Sequence, residues 1–314
     1  MTLLGRRSTL GVSIAVLLLA IASASVAEAE PEPDPKIFDD LLLLPEFELD
    51  TDPDDNLARR GALRTLNESY SLINETVSDA WNISISPLDW RAREWLVFLG
   101  VAGATTGLIY LADEDVREAA LDNGRFQRFG DEIQAFGRGP ALLAVTGGFL
   151  LSGMIFRDKE IETAKMLIEA SAIGQGYSTV LKRAIGRKRP GPFGPRYFDP
   201  WSTEFSLPSG EVTNAFTLAA VVSEQYPNWP VRFVSYGLAA TIGAGRIATD
   251  DHWTSDVFIG AALGTFVGRS VAYFHKERAR RAHEREHLRI EKAAHRPRHY
   301  FALSTRGFRW SVRF

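Results

Sequence analysis

The sequence predicts an all-α protein built on a six-helix bundle, and three observations carry that prediction. Apolar residues recur at intervals of three and four through six stretches, Gly and Pro stand at most of the joints, and no strand-like alternation occurs before residue 300. The composition agrees, since 314 residues, 45% of them hydrophobic, with a formal net charge of -3 describe a packed protein. Such a charge gives no global attraction for nucleic acid. The absence of cysteine excludes disulfides, thiolate metal sites and cysteine-linked lipid anchors.

Taken in order, Arg6 and Arg7 precede an apolar run from Leu10 to Ile21 and a small-residue stretch from Ala22 to Ala29. That layout reads as a secretory signal over 1–29, with small-x-small cleavage points after Ala27 or Ala29, so the remainder is expected to be exported. An uncleaved anchor helix is the alternative. Residues 30–55 are acidic and proline-punctuated and read as an exposed lead-in; a helical pattern follows over 56–88, completing an N-terminal segment of 30–90. The main domain is expected over 91–275, with helices near 91–112, 139–156, 161–185, 210–225, 230–247 and from 255 onward. A charged helical extension follows over 276–298. The segment 299–314 reads as a β-hairpin, with Tyr300–Ser304 and Phe308–Phe314 flanking Thr305-Arg306-Gly307.

The stretches 95–112 and 139–156 sit at the short end of what a bilayer span requires, and Asn214, Glu224, Arg232, Arg246 and Arg269 interrupt or bound the later ones. Buried core helices account for them as well as spans do. If all six crossed a membrane with residue 30 outside, the end where the third helix finishes would face the cytoplasm. The basic segment 276–298 would then lie outside, against the tendency of positive loops to stay in the cytoplasm. The expectation is therefore a non-spanning bundle in the periplasm or at an envelope surface, in contact with a membrane surface.

Three motifs carry chemistry. Lys182, then Arg189-Pro190 after six intervening residues, places cations at the end of a helix, where they suit phosphate oxygens or merely complement the helix dipole. Phe205-Ser206-Leu207-Pro208-Ser209-Gly210-Glu211 opens a helix. Pro-Ser-Gly there offers a hydroxyl, backbone N–H groups and the positive end of the dipole; an ordinary cap by Ser209 is the plainer account. Arg246, His252 and Asp256 form the third motif, with Asp256 four residues beyond the histidine and able to orient its ring across a helix start. A carboxylate on one ring nitrogen leaves the other free for nucleophilic attack.

In order and spacing, these motifs resemble the type-2 phosphatidic acid phosphatase and vanadium haloperoxidase superfamily over about 160–270. The resemblance implies a six-helix bundle with the site at one end. It implies that Lys182, Arg189, Arg246, Ser209 and Gly210 bind phosphate, that His252 attacks phosphorus and that Asp256 positions it. Two positions depart: Gly245 replaces the serine before the arginine, and Glu211 replaces the histidine that protonates the leaving oxygen. An ionised carboxylate there repels phosphate, and Glu211 can act as the acid only while it holds a proton. Diphosphates, whose leaving group needs little protonation, would suffer least.

The expected activity is a metal-independent phosphatase acting through phosphohistidine on a lipid phosphate or isoprenyl diphosphate, without a cofactor. The alternatives are a phosphate-binding envelope protein impaired at Glu211, and a haloperoxidase holding vanadate in the same seat. His283-Glu284-Arg285-Glu286-His287 matches a zinc-protease pattern, but charge on nearly every face points to a solvated helix, so no metal site is expected.

Overall fold

The computed structural model describes residues 56–137, 144–149, 151–152, 158–294, 298–304 and 307–313. The secretory segment, the acidic lead-in, and Thr305, Arg306 and Phe314 lie outside the described residues. The helices are α1 (Asn56–Ile85), α2 (Ala92–Leu111), α3 (Asp113–Leu121), α4 (Gly124–Gly137), α5 (Asp158–Ile185), α6 (Gly210–Gln225), α7 (Trp229–Ala248) and α8 (Thr254–Ala294). Two compact units divide the chain, one up to Ala272 and one from Tyr273 onward. In the second, α8 continues to Ala294, and strands β1 (Arg298–Ser304) and β2 (Gly307–Arg313) pair antiparallel with Ser304 opposite Gly307.

Local chemistry sets several helix ends. The Glu94 carboxylate accepts from the Arg91 N–H (2.9 Å) at the start of α2. The Asn123 side chain accepts from the Phe126 N–H (3.1 Å) at the start of α4, and Asn228 from the Val231 N–H (3.0 Å) at the start of α7. α5 stops at Gly186, whose φ of 58° suits glycine, and whose N–H donates to the Lys182 carbonyl (2.8 Å). A Cβ at Gly186 would come within 1.7 Å of the Asp199 carbonyl oxygen, so the returning loop requires glycine there.

The core of the first unit lies among α5, α6, α7 and the first part of α8. Leu167, Ile168, Val212, Val221, Val267 and Val271 are fully buried, and each such side chain contributes roughly 1.5–3 kcal/mol. Ala215 and Ala219 of α6 meet Ala239 of α7, with Phe216, Tyr236 and Ile242 packed around them. α8 lies directly on the α6 backbone: a Cβ at Gly264 would fall 2.1 Å from the Thr213 carbonyl oxygen, and Gly260 and Gly268 approach the carbonyls of Ser209 and Thr217 in the same way. This contact brings the N-terminal ends of α6 and α8 together.

Two expectations are corrected. The six-stretch reading lacked α3 and α4: α3 is only nine residues long and opens on Asp113, Glu114 and Asp115, whereas α4 carries a helical period in Phe126, Phe129, Ile133 and Phe136 that the reading passed over. Of the stretch 139–156 the described residues are 144–149 and 151–152, and all of them are helical. Finally, α2 is not a buried core helix. Thr105 is its one buried residue, while Trp95, Leu96, Val97, Phe98 and Leu99 are consecutively exposed, and its mean hydropathy reaches 1.5. A 20-residue helix that is apolar and exposed around its circumference suits contact with a bilayer.

Candidate active site

The motif residues meet at one end of the first unit. Lys182 lies in the last turn of α5, Ser209 and Gly210 at the start of α6, Arg246 in the last turn of α7, and His252 and Asp256 at the start of α8. Lys182, Ser209, Arg246, His252 and Asp256 are all buried. His252 precedes α8 instead of riding on it, and Asp256 reaches back from the first turn, its Oδ2 accepting from the Trp253 N–H (3.0 Å). The same oxygen stands 3.6 Å from His252 Nδ1, close enough for electrostatic pairing and too long for a hydrogen bond. The Ser209 N–H donates to the Asp256 carbonyl (3.1 Å), tying the start of α6 to the start of α8.

Ser209 is not the ordinary cap that its position suggests. Its hydroxyl makes no capping hydrogen bond, is buried, and has no partner among the described residues. Arg246 Nε and Nη2 are in the same condition. Buried donors left this way cost about 1–3 kcal/mol each unless a ligand engages them.

The cations face carboxylates. Arg246 Nη1 stands 2.6 Å from Glu211 and 3.1 Å from Asp251, and Arg189, half-exposed, lies 3.8 Å from Asp251. The Glu211 contact is an ion pair approached off the N–H direction, whereas Asp251 accepts a hydrogen bond from Arg246. Thr249 (2.8 Å) and Gln134 (3.3 Å) also donate to Asp251. Glu211 therefore occupies the neighbourhood of the very arginine that the resemblance assigns to phosphate.

Sequence reading missed the groups behind the histidine. The turn before His252 puts Asp250 at φ 57°, a left-handed conformation uncommon outside glycine, and Arg117 of α3 grips that carboxylate through Nε (2.7 Å) and Nη2 (2.9 Å). This pairing raises the Arg117 guanidinium above its ordinary pKa. Arg187 and Asp113, both fully buried, stand directly behind Asp256. Their only sequence signals were an extra arginine inside the Lys182–Arg189 run and an acid opening an acidic triplet. On α8, His283 and His287 are exposed, as a solvated helix requires.

Comparison with known proteins places the site in context. Residues 164–280 match the sequence model of the PAP2 superfamily. A lipid A 1-phosphatase of Porphyromonas gingivalis is 27% identical over 173 residues, 52% of this chain and 35% of that protein. Another, of Rhizobium etli, is 36% identical over 93 residues, 28% of this chain and 39% of that protein. The chain thus spans well under half the length of these relatives. Among solved structures, Aquifex aeolicus LpxE aligns at 24% identity and a TM-score of 0.42, covering 51% of this chain and 93% of that one. A transmembrane PAP2 type phosphatidylglycerolphosphate phosphatase from Bacillus subtilis aligns at 23% identity and a TM-score of 0.45, covering 58% and 94%. Lys182, Ser209, Arg246, His252 and Asp256 all lie within the segment that matches the PAP2 superfamily model.

Proposed function

We propose that the chain is a metal-independent phosphatase that works through a phosphohistidine at His252 on a lipid phosphate, either a monoester or a diphosphate. The observation that carries this reading is the set of buried, unpartnered donors on Ser209 and Arg246 beside a buried His–Asp pair. A tetrahedral oxyanion needs such donors, and guanidinium with backbone N–H groups can stabilise its charge in the way a metal does elsewhere. His252 Nε2 forms the bond to phosphorus as the bond to the leaving oxygen breaks, and Asp256 stabilises the imidazolium from the Nδ1 side. Water then cleaves the P–N bond and releases phosphate. The relatives named as lipid A 1-phosphatases, together with the exposed apolar α2, favour a lipid substrate in the cell envelope.

A second reading is favoured by one specific contact. Glu211 at 2.6 Å from Arg246 neutralises part of the seat and stands where the superfamily resemblance expects an acid histidine. A protein that binds phosphate and turns it over poorly would look like this. The deciding experiment assays purified protein and Glu211→His on phosphatidic acid, an isoprenyl diphosphate and p-nitrophenyl phosphate. Wild-type turnover is expected to be highest on the diphosphate, and Glu211→His should raise activity on monoesters about tenfold or more, within the range of acid–base catalysis. No turnover by wild type on any substrate, with phosphate still bound, selects the binding-protein reading. Lower activity of Glu211→His on every substrate would give Glu211 a positive role in wild type.

Placement is testable in the same preparation. The protein is expected to stay with membranes after alkaline carbonate washing, and Leu96→Glu with Leu99→Glu on the exposed face of α2 should release a large fraction. Recovery of the wild type entirely in the soluble fraction would argue against bilayer contact by α2.

A further inference from the structure

The site contains three fully buried charges that neither the motifs nor the resemblance explains as a set. Asp113 of α3, Arg187 of the loop after α5 and Asp256 of α8 have no solvent exposure, and Arg187 joins the two carboxylates through Nη2 to Asp113 (2.7 Å) and Nη1 to Asp256 (2.5 Å). Every nitrogen of the guanidinium is engaged. Nε donates to the Pro195 carbonyl (3.0 Å), Nη2 also reaches Pro195 (2.7 Å), and Nη1 also donates to the Ser255 hydroxyl (2.6 Å). Asp113 is equally saturated, accepting from the Ser255 N–H (2.9 Å) and hydroxyl (2.5 Å). The rings of Trp253 and Phe198 stand 5.5 and 5.6 Å from the guanidinium carbon. Burying such a group is expensive unless it is completely paired, and here the pairing is complete.

The network fixes how Asp256 faces the histidine. Arg187 takes Oδ1, while the Ser206 hydroxyl (2.5 Å) and the Trp253 N–H (3.0 Å) take Oδ2, so the carboxylate cannot rotate away from His252 Nδ1. Charge counting adds a second consequence. Arg187 and Asp256 alone would form a neutral pair, leaving little negative potential for an imidazolium. Asp113 supplies a second carboxylate on the far side of Arg187, and the buried set carries one net negative charge beside His252.

We infer that Asp113 and Arg187 are positioning residues for phosphoryl transfer: they lock the Asp256 carboxylate toward His252, and Asp113 keeps the buried set anionic so that the charged imidazole formed during attack is stabilised. This rests on the phosphohistidine reading above. A clamp that merely joined α3, the loop and α8 would affect how many molecules fold, but not the rate at each folded site.

The test uses full-length wild type, Asp113→Asn, Asp113→Glu and Ser255→Ala. Folded sites are counted by calorimetric binding of inorganic phosphate, and phosphoenzyme formation is followed by rapid quench with p-nitrophenyl phosphate. Asp113→Asn should lower kcat per phosphate-binding site about tenfold or more, through slower phosphoenzyme formation, with KM and phosphate affinity changed less than about threefold. Asp113→Glu should recover part of the rate, and Ser255→Ala should show a smaller fall. An Asp113→Asn protein whose lost activity equals its lost binding sites, with kcat per site unchanged, overturns the inference. If that variant yields no folded protein, Ser255→Ala decides, and a wild-type rate per site overturns it. Absence of phosphoenzyme in wild type is a different result, because it removes the phosphohistidine reading itself and this inference with it.

Discussion

His252→Ala is expected to lower turnover by on the order of 10⁴- to 10⁶-fold, the scale seen when a nucleophile that acts as part of a unit is removed. The loss should fall on kcat. The groups assigned to the phosphate are Lys182, Ser209, Gly210, Arg189 and Arg246, carried by α5, α6, α7 and the loop after α5, so deleting the imidazole leaves them in place. Binding of inorganic phosphate, measured by calorimetry, should therefore change by less than about tenfold. Because His252 is buried and its own backbone N–H is held by the Arg246 carbonyl (3.3 Å), truncation leaves a small cavity without unwinding the turn. Comparable turnover in the variant would show that another group attacks phosphorus.

Arg246→Lys should lower kcat/KM by about 10²- to 10³-fold even though the positive charge is kept. Among the described residues Arg246 pairs through Nη1, with Glu211 and Asp251, while its buried Nε and Nη2 have no partner. Lysine can replace the point charge facing the carboxylates, but it cannot present two further N–H groups in a fixed plane. The defect should therefore persist at low ionic strength, where a loss of simple Coulomb attraction would be partly offset. Wild-type kinetics in this variant would mean that Arg246 serves only to neutralise Glu211 and Asp251.

The sequence made parts of this arrangement readable for physical reasons. Lys182, Ser209, Gly210, Arg246, His252 and Asp256 stand at or beside helix ends, and helix ends are marked locally by Gly186, by Pro208 and by the acidic first turn containing Asp256. Contacts across long separations left no such mark. Asp113 meets Ser255 across 142 positions and Arg187 meets Asp256 across 69, and each residue has an ordinary local explanation in a charged helix end. The Glu211–Arg246 ion pair was hidden for the same reason. The exposure of α2 was unreadable for another: a helix apolar on every side is equally suited to a core and to a bilayer, and only the exposure of Trp95 to Leu99 in the structure separates the two. α3 was passed over because it is short and highly charged, and α4 although Phe126, Phe129, Ile133 and Phe136 recur at helical spacing, yet α3 supplies Asp113 and Arg117, which hold the site from behind.

The most direct test of the central claim is acid-free rapid quenching of the wild-type protein during turnover of a radiolabelled phosphate ester, in the presence and absence of a chelator. A phosphoenzyme stable to alkali and labile to acid is expected, at no more than one per chain. It should map to His252, form and decay at rates that account for turnover, and be unaffected by the chelator. Steady turnover without such an intermediate, label on a residue other than His252, or loss of activity on chelation would contradict a metal-independent phosphohistidine mechanism.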